Sequence, residues 1–119
     1  MYATTYAKAK DVADAVSQLK GADEGKLLAG GQTLIPTLKQ RLASSDCLID
    51  LSDAGLSGIS DEGGSIRIGA MTRHVEVETS ELVKKAIPAL AALASGIGDR
   101  QVRNCGTIGG SVANNDPSA

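Results

Sequence analysis

Apolar positions change period several times along this chain, and each change predicts an element. In residues 11–20, DVADAVSQLK, Val12, Val16 and Leu19 recur at helical spacing and Gly21 follows as a stop, which predicts a first amphipathic helix. KLLAG, residues 26–30, is too short for a helix and ends in glycine, as a buried strand does. TLIPTLKQRL, residues 33–42, returns to helical spacing through Leu34, Leu38 and Leu42. Pro36 suits its first turn, because the amide hydrogen it lacks would have had no intrahelical acceptor there. CLIDL, residues 47–51, is a second short apolar run and completes a β-α-β unit with the first strand.

Beyond residue 58 the pattern alternates. ISDEGGSIRIGAMT predicts two strands around a DEGG turn, with Ile66 and Ile68 on one face and Arg67 on the other. From about residue 73 to 96 the spacing is helical again; Ser80 is a cap, Pro88 a second start and Gly96 a stop. The last stretch, GDRQVRNCGTIGGSVANNDPSA, reads as loops and short extended pieces. No internal repeat and no linker composition is visible. A subdomain seam falls near residue 52, giving a small α/β piece over 1–52 and a second piece over 53–119.

Composition narrows the function classes more than it names one. A chain of 119 residues buries one modest core, and a net charge of -2 with intermixed signs gives neither a basic stripe for nucleic acid nor a polybasic cluster for anionic lipid. Tyr2 and Tyr6 are the only aromatic residues, too few for a base-stacking platform. The longest apolar stretch, IPALAALASGI, falls short of the roughly 20 residues a membrane span needs. Cys47 and Cys105 form no C-x-x-C pair and the N-terminus does not resemble a signal segment, which points to a reducing cytoplasm; Cys47 reads as a small buried hydrophobe.

Glycine carries the chemical signal. The 14 glycines concentrate in residues 21–31, 55–69 and 96–110. In LLAGGQTLIP, residues 27–36, Gly30 and Gly31 lie where a strand hands over to a helix, with Thr33 as its cap. Backbone without Cβ atoms lets a diphosphate approach several amides, and a helix start adds unpaired donors. TIGGSVANN, residues 107–115, repeats the set of hydroxyls and paired glycine and adds Asn114 and Asn115 as directed hydrogen-bonding groups. Two readings stand: a pair of loops holding one diphosphate from both sides, or glycine pairs serving only as turns.

Other motifs are weaker. G-x-G-x-x-G is absent, since residues 29–34 read AGGQTL, yet Asp50 lies 20 residues beyond Gly30, near where a ribose-binding acid is expected in a nicotinamide site. No P-loop sequence is present. His74 is the sole histidine, which argues against a catalytic triad or multi-histidine metal site and favours a surface or helix-start role. Glu76, Glu78 and Glu81 read as a solvated face. Arg100 and Arg103, beside Asp99, either screen phosphate charge or form loop ion pairs.

LLAGGQTLIPTLKQRL, IRIGAMT and above all IGDRQVRNCGTIGGSVANNDPSA together resemble the FAD-binding, or medium, subunit of the xanthine dehydrogenase and carbon monoxide dehydrogenase family of molybdenum hydroxylases. The resemblance implies an α+β fold of the p-cresol methylhydroxylase and vanillyl-alcohol oxidase type: a small N-terminal β-α-β subdomain and the start of a larger one, with FAD between them. It implies Ala29, Gly30, Gly31, Gln32, Thr33 and Leu34 as a first pyrophosphate motif, and Thr107, Ile108, Gly109, Gly110 and Ser111 as a second. Ile97 falls near the flavin and Asn114 is a polar neighbour of the cofactor. No side chain is implied as a catalytic acid or base, and none as a metal ligand.

In such enzymes a large subunit carries the molybdenum cofactor, a small subunit carries 2Fe-2S clusters, and electrons pass through the flavin to an external acceptor. Two isolated cysteines cannot supply cluster ligands, so the metal centres fall to partner subunits. The family motif runs on beyond the position of Ala119, which implies that the second subdomain is truncated and that the piece alone binds FAD weakly or not at all. Two readings from other classes remain: a nicotinamide-linked Rossmann oxidoreductase, and a non-catalytic assembly module that retains the fold.

Overall fold

A central parallel strand organises the first part of the chain. The structure, a computed structural model, describes residues 3–116, which separate into two units at Leu56 and Ser57 rather than near residue 52. Residues 52–54 stay fastened to the strand end before them: the Ser52 amide donates to Asp50 Oδ1 at 2.9 Å and the Ala54 amide to the Leu51 carbonyl at 3.1 Å.

The first unit contains β1 (Thr5–Lys8), α1 (Val12–Gly21), β2 (Gly25–Leu28), α2 (Leu34–Lys39) and β3 (Cys47–Asp50), with the strands parallel in the order β1-β3-β2. Strand β1 is absent from the sequence reading, because an edge strand of sequence TYAK is mostly exposed and carries no apolar run. Strand β3 sits between the other two and pairs with both, Leu28 and Lys8 each lying opposite Asp50. Alternation along β3 puts Cys47, Ile49 and Leu51 on one face, and these pack with Ala9, Ala15 and Leu19. Cys47 is half-buried rather than buried.

Helix α1 forms where expected, with Asp11 as its N-cap accepting from the Asp14 amide at 2.7 Å, but its buried face differs. Ala15 and Leu19 turn inward, while Val12 and Val16 are 50% and 45% exposed. A small residue lets the helix approach the sheet closely, so Ala15 rather than the valines marks the contact line. Helix α2 is shorter than its periodicity suggested: it ends at Lys39, Arg41 takes a left-handed φ of 58°, and Leu42 is exposed, although Leu38 is buried as predicted.

The second unit begins with a hairpin of β4 (Ile59–Asp61) and β5 (Ile66–Ile68), antiparallel with Ile59 opposite Ile68. Asp61 closes the turn by accepting from the Gly63 amide at 2.8 Å. Five short helices follow: α3 (His74–Thr79), α4 (Glu81–Ala86), α5 (Pro88–Ser95), α6 (Arg100–Cys105) and α7 (Ile108–Asn114). Val77, Val83, Ala91 and Ala94 form their core, with Ile59, Ile68 and Leu90 packed against it. Ser80 caps α4 through the Val83 amide at 3.3 Å, and Pro88 opens α5.

Helices α6 and α7 correct the reading of residues 98–116 as loops and extended pieces. Asp99 caps α6 by accepting from the Val102 amide at 2.8 Å, and Thr107 Oγ1 caps α7 by accepting from the Gly110 amide at 3.1 Å. Adjacent glycines lower intrinsic helix propensity, each by about 1 kcal/mol relative to alanine. Tertiary hydrogen bonds described below override that preference. Residues 117–119 of the long motif lie outside the described residues.

Replacing Ile49, which is 0% exposed at the centre of the sheet, by alanine is expected to destabilise the first unit by about 2–5 kcal/mol. Denaturant unfolding measures this; a loss below about 1 kcal/mol would contradict the assignment of β3 as the organising strand.

Candidate functional site

The first glycine motif ends β2 and leads into α2. Gly31 has φ of +74°, and a Cβ there would stand 2.9 Å from Ile35 Cγ1, so both conformation and packing require glycine. Its carbonyl accepts from the Ile35 amide at 3.1 Å, and Thr33's carbonyl accepts from Thr37's amide at 3.1 Å. The amides of Gly31, Gln32, Thr33 and Leu34, in contrast, meet no acceptor among the described residues. Thr33 does not cap α2 with its side chain, contrary to expectation; its backbone is already in the right-handed helical region, which turns Oγ1 away from the amides of the first turn.

Four consecutive amide donors without internal acceptors fit an anionic oxygen cluster. A helix of six residues adds little field of its own, so the fit rests on the donors themselves. Gln32 and Thr33 are exposed, while Ala29, Gly30 and Leu34 are half-buried and complete the rim.

The second motif obeys different physics. Every amide from Ile108 to Ser111 is already engaged inside its own unit: Ile108 donates to Thr72 O at 3.0 Å, Gly109 to Ala70 O at 2.8 Å, Gly110 to Thr107 Oγ1 and Ser111 to Thr107 O at 3.1 Å. Gly109 is required because a Cβ would sit 2.6 Å from Ala70 O and 2.7 Å from Ala70 Cβ. The expectation that this stretch cradles a diphosphate with bare amides is thereby corrected. Among its exposed polar residues are Ser111, whose hydroxyl lies 3.1 Å from His74 Nε2, and Asn114.

Residues 70–74 are the frame that sequence reasoning missed. Ala70 and Thr72 hold the motif by their carbonyls, and His74 N donates to Gly106 O at 3.0 Å. Thr72 is itself 0% exposed and clamped, its Oγ1 donating to Gly58 O at 3.2 Å and accepting from Gly58 N at 3.0 Å. The available signal was the alternation of residues 70, 72 and 74 on one side of an extended segment. Length hid it: a single bridge, Arg73 to Thr107, is all the formal pairing that results.

His74 opens α3 as expected but is buried, not on the surface, with 4% exposure. Its Nε2 lies 3.1 Å from Ser111 Oγ, and burial alone pushes the imidazole below the usual histidine range. Ile97 is half-buried, and its carbonyl, with that of Gly98, accepts from Arg103 Nη1 at 3.2 and 3.0 Å. Arg103 also pairs with Glu78 at 3.2 Å, which leaves the ion-pair reading and removes it as a phosphate ligand; Glu78 is accordingly no solvated residue. Glu76 accepts from the Arg73 amide at 3.1 Å, and Glu81 pairs with Lys84 at 3.7 Å.

Asp50 does not sit ready for a ribose. Burial opposes its ionisation, but hydrogen bonds from the Tyr6 hydroxyl and Ser52 together outweigh that and hold its carboxyl below the usual range. The same bond raises Tyr6 above the usual phenol value. Among the described residues no cluster of histidine, cysteine or acid could hold a metal ion, and no helix is long and apolar enough to cross a membrane.

The first unit thus presents a glycine turn with four unengaged amides, and the second unit presents a helix carrying the exposed residues Ser111 and Asn114 on a fixed frame. The chain belongs to the family of FAD binding domains in molybdopterin dehydrogenases, whose pattern residues 2–119 match. It is 43% identical over 114 residues to the carbon monoxide dehydrogenase medium chain of Afipia carboxidovorans, covering 94% of this chain and 40% of that one. It is 35% identical over 117 residues to the xanthine dehydrogenase FAD-binding subunit of Escherichia coli O157:H7, covering 97% and 40%. Among solved structures, carbon monoxide dehydrogenase from Hydrogenophaga pseudoflava superposes with a TM-score of 0.94 at 43% identity, over 97% of this chain and 41% of that one. The chain thus spans about two fifths of the length of these relatives.

Two measurements check the geometry. Gly109→Ala forces a Cβ into the Ala70 backbone and is expected to destabilise the second unit by about 1–3 kcal/mol in denaturant unfolding, with or without FAD; a change below about 0.5 kcal/mol would show that the glycine is not held there. His74 has a depressed folded value, so its contribution is fully present above the ordinary histidine value of 6.5 and declines as pH falls toward the folded one. Wild type is expected to lose more stability than His74→Gln on going from pH about 7 to 5, and equal slopes would contradict burial of a neutral ring.

Proposed function

We propose that this chain binds FAD within the medium subunit of a molybdenum hydroxylase and passes electrons from partner iron–sulfur clusters to an external acceptor. The observation that carries the reading is the run of four amides, Gly31 to Leu34, without internal acceptors in a chain of FAD-binding family. FAD, when bound, supplies the redox chemistry; this chain's residues bind and orient it. In this reading Ala29, Gly30, Gly31, Gln32, Thr33 and Leu34 form the first diphosphate motif, in which the amides of Gly31 to Leu34 donate to the oxygens. Thr107, Ile108, Gly109, Gly110 and Ser111 contribute through the Ser111 hydroxyl on a fixed backbone, with Asn114 as a second polar contact and Ile97 as apolar contact for the ring. No residue here acts as a general acid or base.

The partners in this reading are a large subunit with the molybdenum cofactor and a small subunit with 2Fe-2S clusters, assembled in the cytoplasm. The names of the relatives support it, since they are medium chains or FAD-binding subunits of dehydrogenases. The sequence-level alternative of a nicotinamide site rested on Asp50, whose carboxylate is engaged by Tyr6 and Ser52. That engagement favours FAD.

Diphosphate recognition makes a direct prediction for the full medium subunit. FAD is expected to raise the thermal midpoint, while riboflavin and NADH at the same concentration leave it within error, because only a ligand of the native state shifts it. Gln32→Glu places a like charge beside the four amides at an exposed position, and is expected to weaken FAD at least about tenfold, or 1.4 kcal/mol, with the unliganded midpoint unchanged. Stabilisation by NADH but not FAD, or equal FAD affinity of the Gln32→Glu protein, would overturn the reading.

A further inference from the structure

The geometry points to Arg103 as a positioning residue that holds Ile97 in place as the apolar contact for the flavin ring. The inference deepens the FAD reading and rests on it for the identity of that ring. It starts from the loop between α5 and α6, residues 96–99, which is exposed apart from Ile97 and yet has its backbone engaged on both sides of that residue. The Ile97 amide donates to Ala94 O at 3.2 Å, and the Ile97 and Gly98 carbonyls accept from Arg103 Nη1 at 3.2 and 3.0 Å.

A peptide unit is a rigid plane, so a bond to the N–H ahead of the Ile97 side chain and another to the C=O behind it set both soft dihedrals of the residue. With φ and ψ held, the Cα–Cβ direction is held as well, and a β-branched side chain has few rotamers left. Gly98 has φ of +52°, and a Cβ there would stand 2.8 Å from Val102 Cγ1. Glycine is therefore required where the peptide units on its two sides converge on one guanidinium nitrogen.

The guanidinium is itself fixed. Its Nε donates to Glu78 Oε2 at 3.2 Å, and the two side chains are 17% and 25% exposed. Glu78 stands on α3, whose first residue, His74, donates its amide to Gly106 O just past the end of α6. A partly buried ion pair is weak ground for stability, because desolvating two charges offsets most of their attraction. Geometry is what this pair supplies: a planar fork with Nε on a carboxylate and Nη1 on two carbonyls. Asp99 fixes the far end of the loop by capping α6. A solvent-facing loop held from so many sides around one apolar side chain suits a ligand contact prepared before binding, which spares the cost of ordering it afterwards.

The arginine can be removed without stranding a charge by combining Arg103→Met with Glu78→Met, since replacing a buried pair by apolar residues of like volume is often neutral for stability. In the full medium subunit this double variant is expected to keep a thermal midpoint near that of wild type without FAD. With FAD it is expected to bind about tenfold more weakly and, at saturation, to show altered visible circular dichroism of the flavin. Ile97→Ala is expected to give the same spectral change, and adding the two methionine substitutions to Ile97→Ala to weaken FAD by less than about twofold more. Glu78→Gln, which keeps an acceptor for Nε and leaves both carbonyl bonds, is expected to stay within about threefold of wild type.

An unchanged flavin spectrum in the double variant, or a loss of affinity that recurs in full beside Ile97→Ala, would reduce Arg103 to general packing and sink the positioning role. A loss in Glu78→Gln as large as in the double variant would do the same. Should the double variant fail to fold, Arg103→Lys, whose compact ammonium lacks the fork, is read in the same two backgrounds with the same criteria. Wild-type subunit that binds no FAD defeats the cofactor reading and the ring contact together, and is thereby distinguished from wild-type binding without Arg103–Ile97 coupling, which defeats only this inference.

Discussion

The second unit depends on a short extended segment, residues 70–74, that uses alternate backbone groups to hold another backbone. Ala70 and Thr72 offer carbonyls to Gly109 and Ile108, and His74 offers its amide to Gly106. Each bond is ordinary, contributing about 0.5–1.5 kcal/mol net, but together they settle a conformation that local preference opposes. A stretch with two adjacent glycines becomes helix α7 because its first amides find acceptors in the tertiary structure and in the Thr107 cap. Once the helix is fixed, Ser111 and Asn114 follow at set positions along it.

Paired glycines with flanking hydroxyls occur twice, and the same letters serve opposite ends. Around Gly31 the backbone is left with donors facing no internal acceptor, and glycine supplies a positive φ that keeps the turn open. At Gly109 the donor is consumed and glycine supplies only closeness, the nearest backbone atom standing 2.6 Å from where a Cβ would be. Substitution at the two positions therefore probes different things: turn conformation at the first, docking of the helix at the second. Hydrogen-bond accounting separates them where residue type does not.

Much of the fold was legible because burial and period agreed. The strand of residues 47–50, the hairpin of Ile59, Ile66 and Ile68, the caps at Ser80 and Pro88 and the stop at Gly96 all followed from local chemistry. Strand β1 escaped because pairing, not side-chain burial, holds it to β3. The inward face of α1 was misread because Ala15 gives a weak signal beside Val12 and Val16, yet close packing favours the smaller residue. Helices α6 and α7 escaped because polar caps and glycines read as loop until their tertiary partners are known. The two glycine motifs stood out through family resemblance; that the amides of one are engaged inside its unit while those of the other are not was illegible, since the acceptors lie some forty residues away in sequence.

Asp50 shows how a spacing argument fails and why. An acid about 20 residues past a glycine turn is a useful marker of a ribose site only if its oxygens are free to leave the sheet edge. Here the residue ends β3, where β1 lies alongside, and the Tyr6 hydroxyl from that neighbouring strand reaches its carboxylate while Ser52 caps the other oxygen. The acid thereby closes the end of the sheet, and lowering its affinity for protons is a by-product of that structural task. Strand β1, invisible in the apolar pattern, is what converts Asp50 from a candidate ligand into part of the scaffold, so the error in the site and the error in the fold have one cause.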